Sequence, residues 1–188
     1  MSRWQPDARA RLQQAAMTLY SERGYDETTV AEIAERAGLT KRTFFRYFTD
    51  KREVLFWGSE LLGQMMVAAI EAAPPGLPAL DLIAIALDAA AIRFEEVRDF
   101  AGPRHRVIAS SPELRERELI KAAAMAAAMA DALRARGFGD TAADLAAHTA
   151  ITVMHVTFGQ WVEDPSRTPF GQIARNTLAE LRQLTAVG

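Results

Sequence analysis

The sequence predicts an all-α protein of about nine helices, with a three-helix head at the amino terminus and a larger helical body behind it. Three observations lead there. Apolar residues recur at helical spacing along most of the chain, and no strand-length run alternates. Helix signals punctuate that pattern, with caps at Asp7, Thr29, Thr40, Asp50 and Ser111 and stops at Gly24, Gly38, Pro74-Pro75-Gly76, Gly137 and Pro165. Finally, 188 residues, 49% of them hydrophobic, are ample for a packed core.

Composition excludes several classes. There is no cysteine, so disulfides and thiolate metal sites are ruled out and a reducing cytoplasm is the expected compartment. The start lacks an apolar signal core, and no run approaches the roughly 18 apolar residues of a membrane span. Charge is uneven. Residues 1–52 hold ten Lys/Arg against seven Asp/Glu, and residues 53–188 hold twelve against seventeen. A basic head on an acidic body suits a polyanionic partner for the head.

Residues 1–7 read as a short arm with Arg3 and Trp4. Asp7 caps a helix over about 8–23, with Leu12, Ala15, Ala16 and Leu19 inward and Gly24 as its stop. Thr29-x-x-Glu32 is a capping box that opens a second helix, which closes at Ala37-Gly38. Leu39 plugs the turn, and Thr40 caps a short third helix from Lys41 to about Tyr47. Two short helices joined by a three- to four-residue turn containing glycine make a helix-turn-helix. A long helix is expected from Asp50 to about Ala73, with a wide apolar face that includes Gly58, ended by Pro74-Pro75-Gly76. Further helices are expected over 78–99, 103–109, 112–136, 140–162 and 168–185. Ser111 and Pro112 open the helix over 112–136 as cap and first helical residue, and Asp140 or Thr141 is the expected cap of the helix over 140–162.

The stretch TTVAEIAERAGLTKRTFFRYFTDKREVLF, following one amphipathic helix and preceding a long one, resembles the TetR family of bacterial transcriptional regulators. Thr29, Ile33, Ala34, Ala37, Gly38, Leu39, Phe44, Phe45, Tyr47, Phe48 and Lys51 carry the likeness, which covers about residues 8–60. It implies a DNA-binding head over residues 1–50 and a ligand-binding and dimerisation body over 51–188. It also implies a homodimer joined through the last two helices, a ligand cavity in each body, and repression relieved by ligand. Residue by residue, the resemblance implies that Thr40, Lys41, Arg42 and Thr43 face base edges, with Lys41 and Arg42 suited to guanine. Thr29, Tyr47 and Lys51 match positions that hold phosphates. Phe45 stands where the family usually has tyrosine, so that phosphate contact is in question, and Arg46 is its expected substitute.

For the body, the expected cavity lining is Trp57, Leu61, Met65, Met66, Phe94, Phe100, Met125 and Met129, an adaptable apolar set. Arg104 in the Arg104-His105-Arg106 cluster is the candidate for an anionic group. Val153, Phe158, Trp161, Ile173, Leu178 and Leu181 are the expected dimer surface. His148 and His155 lie two helical turns apart, about 10.5 Å, too far to share one ion. No metal, no cofactor, no membrane partner and no catalytic constellation is expected. The resulting expectation is a cytoplasmic, dimeric repressor that a small apolar or amphipathic effector releases from a palindromic double-stranded operator. A helical carrier or enzyme for an apolar molecule with a structural head, or a DNA-binding protein without a ligand, are the alternatives.

Overall fold

The computed structural model describes residues 7–186, so the arm with Arg3 and Trp4 lies outside the described residues. Every regular element among them is helical: α1 (Ala8–Arg23), α2 (Val30–Arg36), α3 (Lys41–Tyr47), α4 (Glu53–Phe56), α5 (Ser59–Ala72), α6 (Ala79–Glu96), α7 (Arg98–Ser110), α8 (Pro112–Ala135), α9 (Asp140–Glu163) and α10 (Phe170–Ala186). Counting the single turn α4 with α5, which the sequence reads as one helix, leaves the nine expected elements. The described chain forms two compact units. One takes the residues up to Trp57 together with 103–118, and the other takes 58–102 together with the residues from Leu119 onward. A single cut after residue 50 does not describe this division, because the first unit also recruits the end of α7 and the start of α8.

In the first unit, local chemistry sets the helix ends. Asp7 accepts from the Arg9 amide, and the Gly24 amide closes α1 on the Tyr20 carbonyl at 3.0 Å. Both halves of the Thr29/Glu32 capping box are present at the start of α2. The turn after α2 needs Gly38, whose φ is +63°; a Cβ there would come within 2.9 Å of the Arg11 guanidinium. Leu39 then bonds back to the Ala34 carbonyl at 2.8 Å, and Thr40 caps α3 by accepting from the Thr43 amide at 3.1 Å. Leu12, Ala16, Ile33, Ala34, Phe44 and Phe48 are buried beneath.

The long helix expected from Asp50 is interrupted. Asp50 does cap as predicted, accepting from the Arg52 and Glu53 amides at 2.8 and 3.2 Å. One turn later Trp57 is extended and Gly58 is left-handed, with φ +94°. In the sequence Gly58 passes for one more small residue of an apolar stripe, a reading that ignores glycine's tolerance of positive φ. The break leaves the Leu55 carbonyl without a helical donor, and Arg104 Nε of α7 takes it at 2.7 Å. The helix expected over 103–109 begins earlier, at Arg98, and carries Pro103 inside it. Proline there forfeits one helical hydrogen bond, but Ala101, Val107 and Ile108 are buried on the same helix, and that burial holds it.

The second unit is a helical bundle in which α5, α6, α9 and α10 surround a core of Leu62, Met66, Ile70, Leu82, Ile83, Leu87, Ala147, Ala150 and Val153, completed by Met125, Met129 and Leu133 of α8. Alanine on α9 permits close packing. One end is aromatic, with Phe94 stacked on Phe170 at 4.3 Å and Phe158 and Trp161 beside them. Arg136 closes the far end of α5, donating to the carbonyls of Ile70, Ala73 and Pro74. The cap expected from Asp140 or Thr141 does not form. Gly139 occupies the N-cap, and Asp140 and Asp144 instead pair with Arg134 at 3.0 and 2.6 Å. Before α10, Asp164 accepts from the amides of Ser166 and Thr168 at 2.9 and 2.7 Å. The Ser166 hydroxyl and these other donors hold its carboxyl well below the usual range.

Trp161 is 1% exposed, and its indole Nε1 has no acceptor among the described residues. Trp161→Phe removes that unpaired donor along with some packing, so it should cost at most about 1–2 kcal/mol, whereas Trp161→Ala should cost about 3–5 kcal/mol. Urea unfolding of the two variants checks the difference.

Candidate nucleic-acid interface

Helix α3 is seven residues long, about 10 Å. Its inner side is the fully buried Phe44, which meets Phe48 at a ring distance of 5.4 Å. Its outer side carries Lys41, Arg42, Phe45 and Arg46, all exposed. None of the three cations has a carboxylate partner among the described residues. Phe45 is 57% exposed and touches Phe44 only edge-on, at 5.5 Å. Arg46 donates to the Tyr47 hydroxyl at 3.1 Å and lies over its ring, which leaves that hydroxyl a proton to give outward. The Thr40 and Thr43 hydroxyls are 3.0 Å apart and already engage one another. The face is therefore cationic with one bare aromatic ring, and it can offer donors and an apolar contact to a polyanion.

Two of the residues matched to phosphate positions are engaged internally. The Thr29 amide and hydroxyl both donate to Glu32 Oε2 at 2.8 Å. Those two bonds, with Arg23 behind them, hold the Glu32 carboxyl below its ordinary value. The Lys51 ammonium turns inward and donates to the carbonyls of Tyr25, Asp26 and Thr28 at 2.8, 3.2 and 2.9 Å. The phosphate role expected of Lys51 comes from the resemblance, and a matched residue type does not register backbone carbonyls as competitors for its ammonium. Lys41, Arg42, Phe45 and Arg46 are exposed on α3, whereas Thr29 is exposed but bonded to Glu32 and Lys51 is half-buried and bonded to backbone carbonyls.

A polar joint that the sequence does not disclose ties α4 to α7 and α8 inside the first unit. Arg117 meets Glu53 at 2.7 Å, Arg52 meets Asp50 at 2.8 Å and Glu113 at 3.0 Å, and Arg104 bridges the Leu55 carbonyl and Glu118. Burial pulls the Arg104 guanidinium below its ordinary value against the opposing pull of Glu118. Arg104 is thus part of this joint and is not available to an anionic ligand in the body. Burial would raise the Asp50 carboxyl, but the Arg52 side chain and the Glu53 and Arg52 amides outweigh it and hold it below the usual range.

The residues expected to line one cavity do not surround one space. Trp57 belongs to the first unit, is exposed, and has the Arg9 guanidinium 4.1 Å above its ring. Leu61 is exposed, Met65 is half-buried, and Met66, Met125 and Met129 are closed into the core with Phe94 against it. A surface depression of about 410 Å³ is lined by Glu95, Glu96, Val97, Arg98, Asp99, Phe100 and Arg167. Of the predicted lining it contains only Phe100. The expected dimer surface is likewise turned inward. Val153, Trp161, Ile173 and Leu178 are buried within the second unit, and Phe158 and Leu181 pack against its core. The apolar residues that α9 and α10 leave outside are Leu145 at 65% and Val156 at 43% exposed, with Leu184 at 80%. The difference is one of face: both sets lie on the same helices, and the buried side of α9 is largely alanine, with Val153 and Trp161 among it, while Leu145 and Val156 lie on the other side.

A capped three-helix head with a cationic third helix, accompanied by a helical body, has the layout of a helix-turn-helix regulator. The sequence profile of "bacterial regulatory proteins, tetR family" matches residues 12–56. The HTH-type transcriptional regulator TcmR of Streptomyces glaucescens is 38% identical over 68 residues, 36% of this chain and 30% of TcmR. Two solved structures share the fold over almost the whole chain. FadR of Thermus thermophilus, a TetR-family repressor in complex with lauroyl-CoA, has 24% identity and a TM-score of 0.61, covering 96% of both chains. FadR of Bacillus subtilis in complex with stearoyl-CoA has 19% identity and a TM-score of 0.63, covering 92% of this chain and 96% of that one. Residues 12–56 thus carry the amino-terminal signature of the tetR family of bacterial regulatory proteins, and the chain shares the fold of the two FadR structures over almost its whole length.

The Asp50 cap should appear in the acid limb of stability. Its folded pKa is lowered, so its contribution is complete above the unfolded value of 3.8 and is lost as pH falls through the lower folded value. The stability gap between the parent and Asp50→Asn should be full at about pH 6 and narrow below about pH 4. Thermal unfolding across that range measures it.

Proposed function

We propose that this protein is a dimeric repressor that grips a roughly palindromic operator through two copies of α3 and lets go when a small apolar or amphipathic molecule binds the helical body. The observation that carries the reading is the outer face of α3, where Lys41, Arg42, Phe45 and Arg46 are exposed together without a carboxylate partner among the described residues. Arg42 is the residue to donate bidentately to a guanine, Lys41 donates beside it, and Phe45 covers a sugar or a thymine methyl. Two such helices on a two-fold axis address half-sites about one helical turn apart or somewhat more. For the dimer, the outward faces of α9 and α10 supply the candidates, Leu145, Val156 and Leu184. The effector class is drawn from the two FadR structures, whose ligands are acyl-CoA thioesters, amphipathic and anionic.

One rival has an observation behind it. Met66 and Met129 are fully buried in a closed core, which favours a DNA-binding protein that takes no effector. An operator selected from a random duplex pool, then run in a gel shift with lauroyl-CoA, free coenzyme A or laurate, separates the readings. Release by lauroyl-CoA at micromolar concentration supports the effector; a shift indifferent to all three supports the rival; no bound duplex at all removes the repressor reading.

Two substitutions test the surfaces. Arg42→Ala should cost about 1–3 kcal/mol of operator affinity and relax base choice at one position of each half-site, read by binding to a panel of operator variants. Leu145→Glu with Val156→Glu should yield a monomer in sedimentation, while Leu178→Glu, inside the core, should unfold the chain instead.

A further inference from the structure

The geometry assigns Lys51 a positioning role in operator recognition: its ammonium clamps the loop between α1 and α2 and so sets how α2 and α3 sit on α1, and it does not itself bind phosphate. The inference rests on the DNA-binding reading above and departs from the phosphate role that the resemblance implied for this residue.

An ammonium has three donors and no acceptor. At Lys51 all three have carbonyl partners, Tyr25, Asp26 and Thr28, at 2.8–3.2 Å. The charge also lies 4.2 Å from the centre of the Tyr25 ring, whose π face attracts it. The segment it gathers is non-helical and otherwise held by few bonds, Thr28 N to the Tyr25 carbonyl and the Thr28 hydroxyl to the Gly24 carbonyl. Buried Thr28 and Tyr25 sit in that segment. From the other side, the Tyr20 hydroxyl donates to the Lys51 carbonyl at 2.7 Å. Side chain and backbone of one residue thus join the chain just after α3 to the end of α1 and to the loop that starts α2. Reaching a phosphate would require abandoning three charge-assisted bonds at once and leaving three carbonyls without their donor. A compact ammonium suits three converging carbonyls, and a planar guanidinium does not.

The test compares the full-length parent with Lys51→Met, Lys51→Arg and, as a control for direct DNA contact, Arg42→Met. Each binds the selected operator and a 30-base-pair duplex of unrelated sequence across a salt series, and amide exchange is followed over residues 24–29. For Lys51→Met, the slope of log K against log salt on the unrelated duplex should match the parent. Its operator-to-unrelated affinity ratio should fall about tenfold or more, residues 24–29 should exchange faster, and Lys51→Arg should fail to restore either property. A phosphate-binding Lys51 predicts the opposite. The slope would become shallower by about 0.9 for each phosphate no longer neutralised, the ratio would hold because both duplexes weaken alike, and Lys51→Arg would bind like the parent. Any of these overturns the assignment. Should Lys51→Met not fold, Lys51→Arg decides alone: parent-like binding and exchange overturn the clamp, and a lowered ratio with faster exchange supports it. If the parent binds no duplex, the DNA-binding reading falls by itself. Unchanged exchange over 24–29 in Lys51→Arg would then still overturn the clamp.

Discussion

Burial of Phe44 is the constraint on which the head depends. A helix of seven residues does not persist in water by itself, because too few hydrogen bonds offset the cost of nucleation. Helix α3 persists because Phe44 is fully buried, Phe48 continues the same contact after the helix ends, and Thr40 caps the start. With the inner side so well anchored, the outer side needs no stabilising partner. That is what allows Lys41, Arg42 and Arg46 to stand together in spite of their mutual repulsion. The same anchoring makes Phe45 conspicuous, since its ring is 57% exposed and meets the buried Phe44 only edge-on.

Elsewhere, cations cover carbonyls at the places where helices stop. Arg11 reaches the carbonyls of Ala37 and Gly38 at the end of α2. Arg104 takes the Leu55 carbonyl where α4 breaks, and Arg136 takes four at the end of α5; between helices, Arg98 takes that of Thr168 ahead of α10 and Lys51 gathers the loop before α2. The last carbonyls of a helix have no internal donor and carry partial negative charge, so a long basic side chain satisfies both needs at once. Sequestering a charge such as that of Arg104 is costly in solvation, and Glu118 offsets part of it, while Glu53 and Glu113 pair with Arg117 and Arg52 in the same joint. The basic excess of the amino-terminal segment is therefore divided between scaffold and surface: exposed Arg23 and Arg36 pair with Glu32 and Glu22, whereas the cations on α3 stand outward without a carboxylate partner among the described residues.

The all-α class, nearly every helix boundary, the capping box, the turn at Gly38 and the outward cluster on α3 follow from short-range chemistry, and the sequence alone determined them. Spacing, caps and glycine stops act within a few residues, so they are legible without knowing what lies across the fold. Tertiary structure decided the rest. Whether Gly58 continues a helix or breaks it depends on Arg104 waiting for the Leu55 carbonyl, 49 positions away. Which stripe of α9 faces inward depends on α6 and α10, and so Val153 and Trp161 went to the core while Leu145 and Val156 stayed out. The role of Lys51 depends on three backbone oxygens that no residue type announces. A pattern can show that a helix has two faces or that a side chain is charged. The partner that each one meets is set only by packing, because carbonyls and neighbouring helices leave no mark at the position they act on.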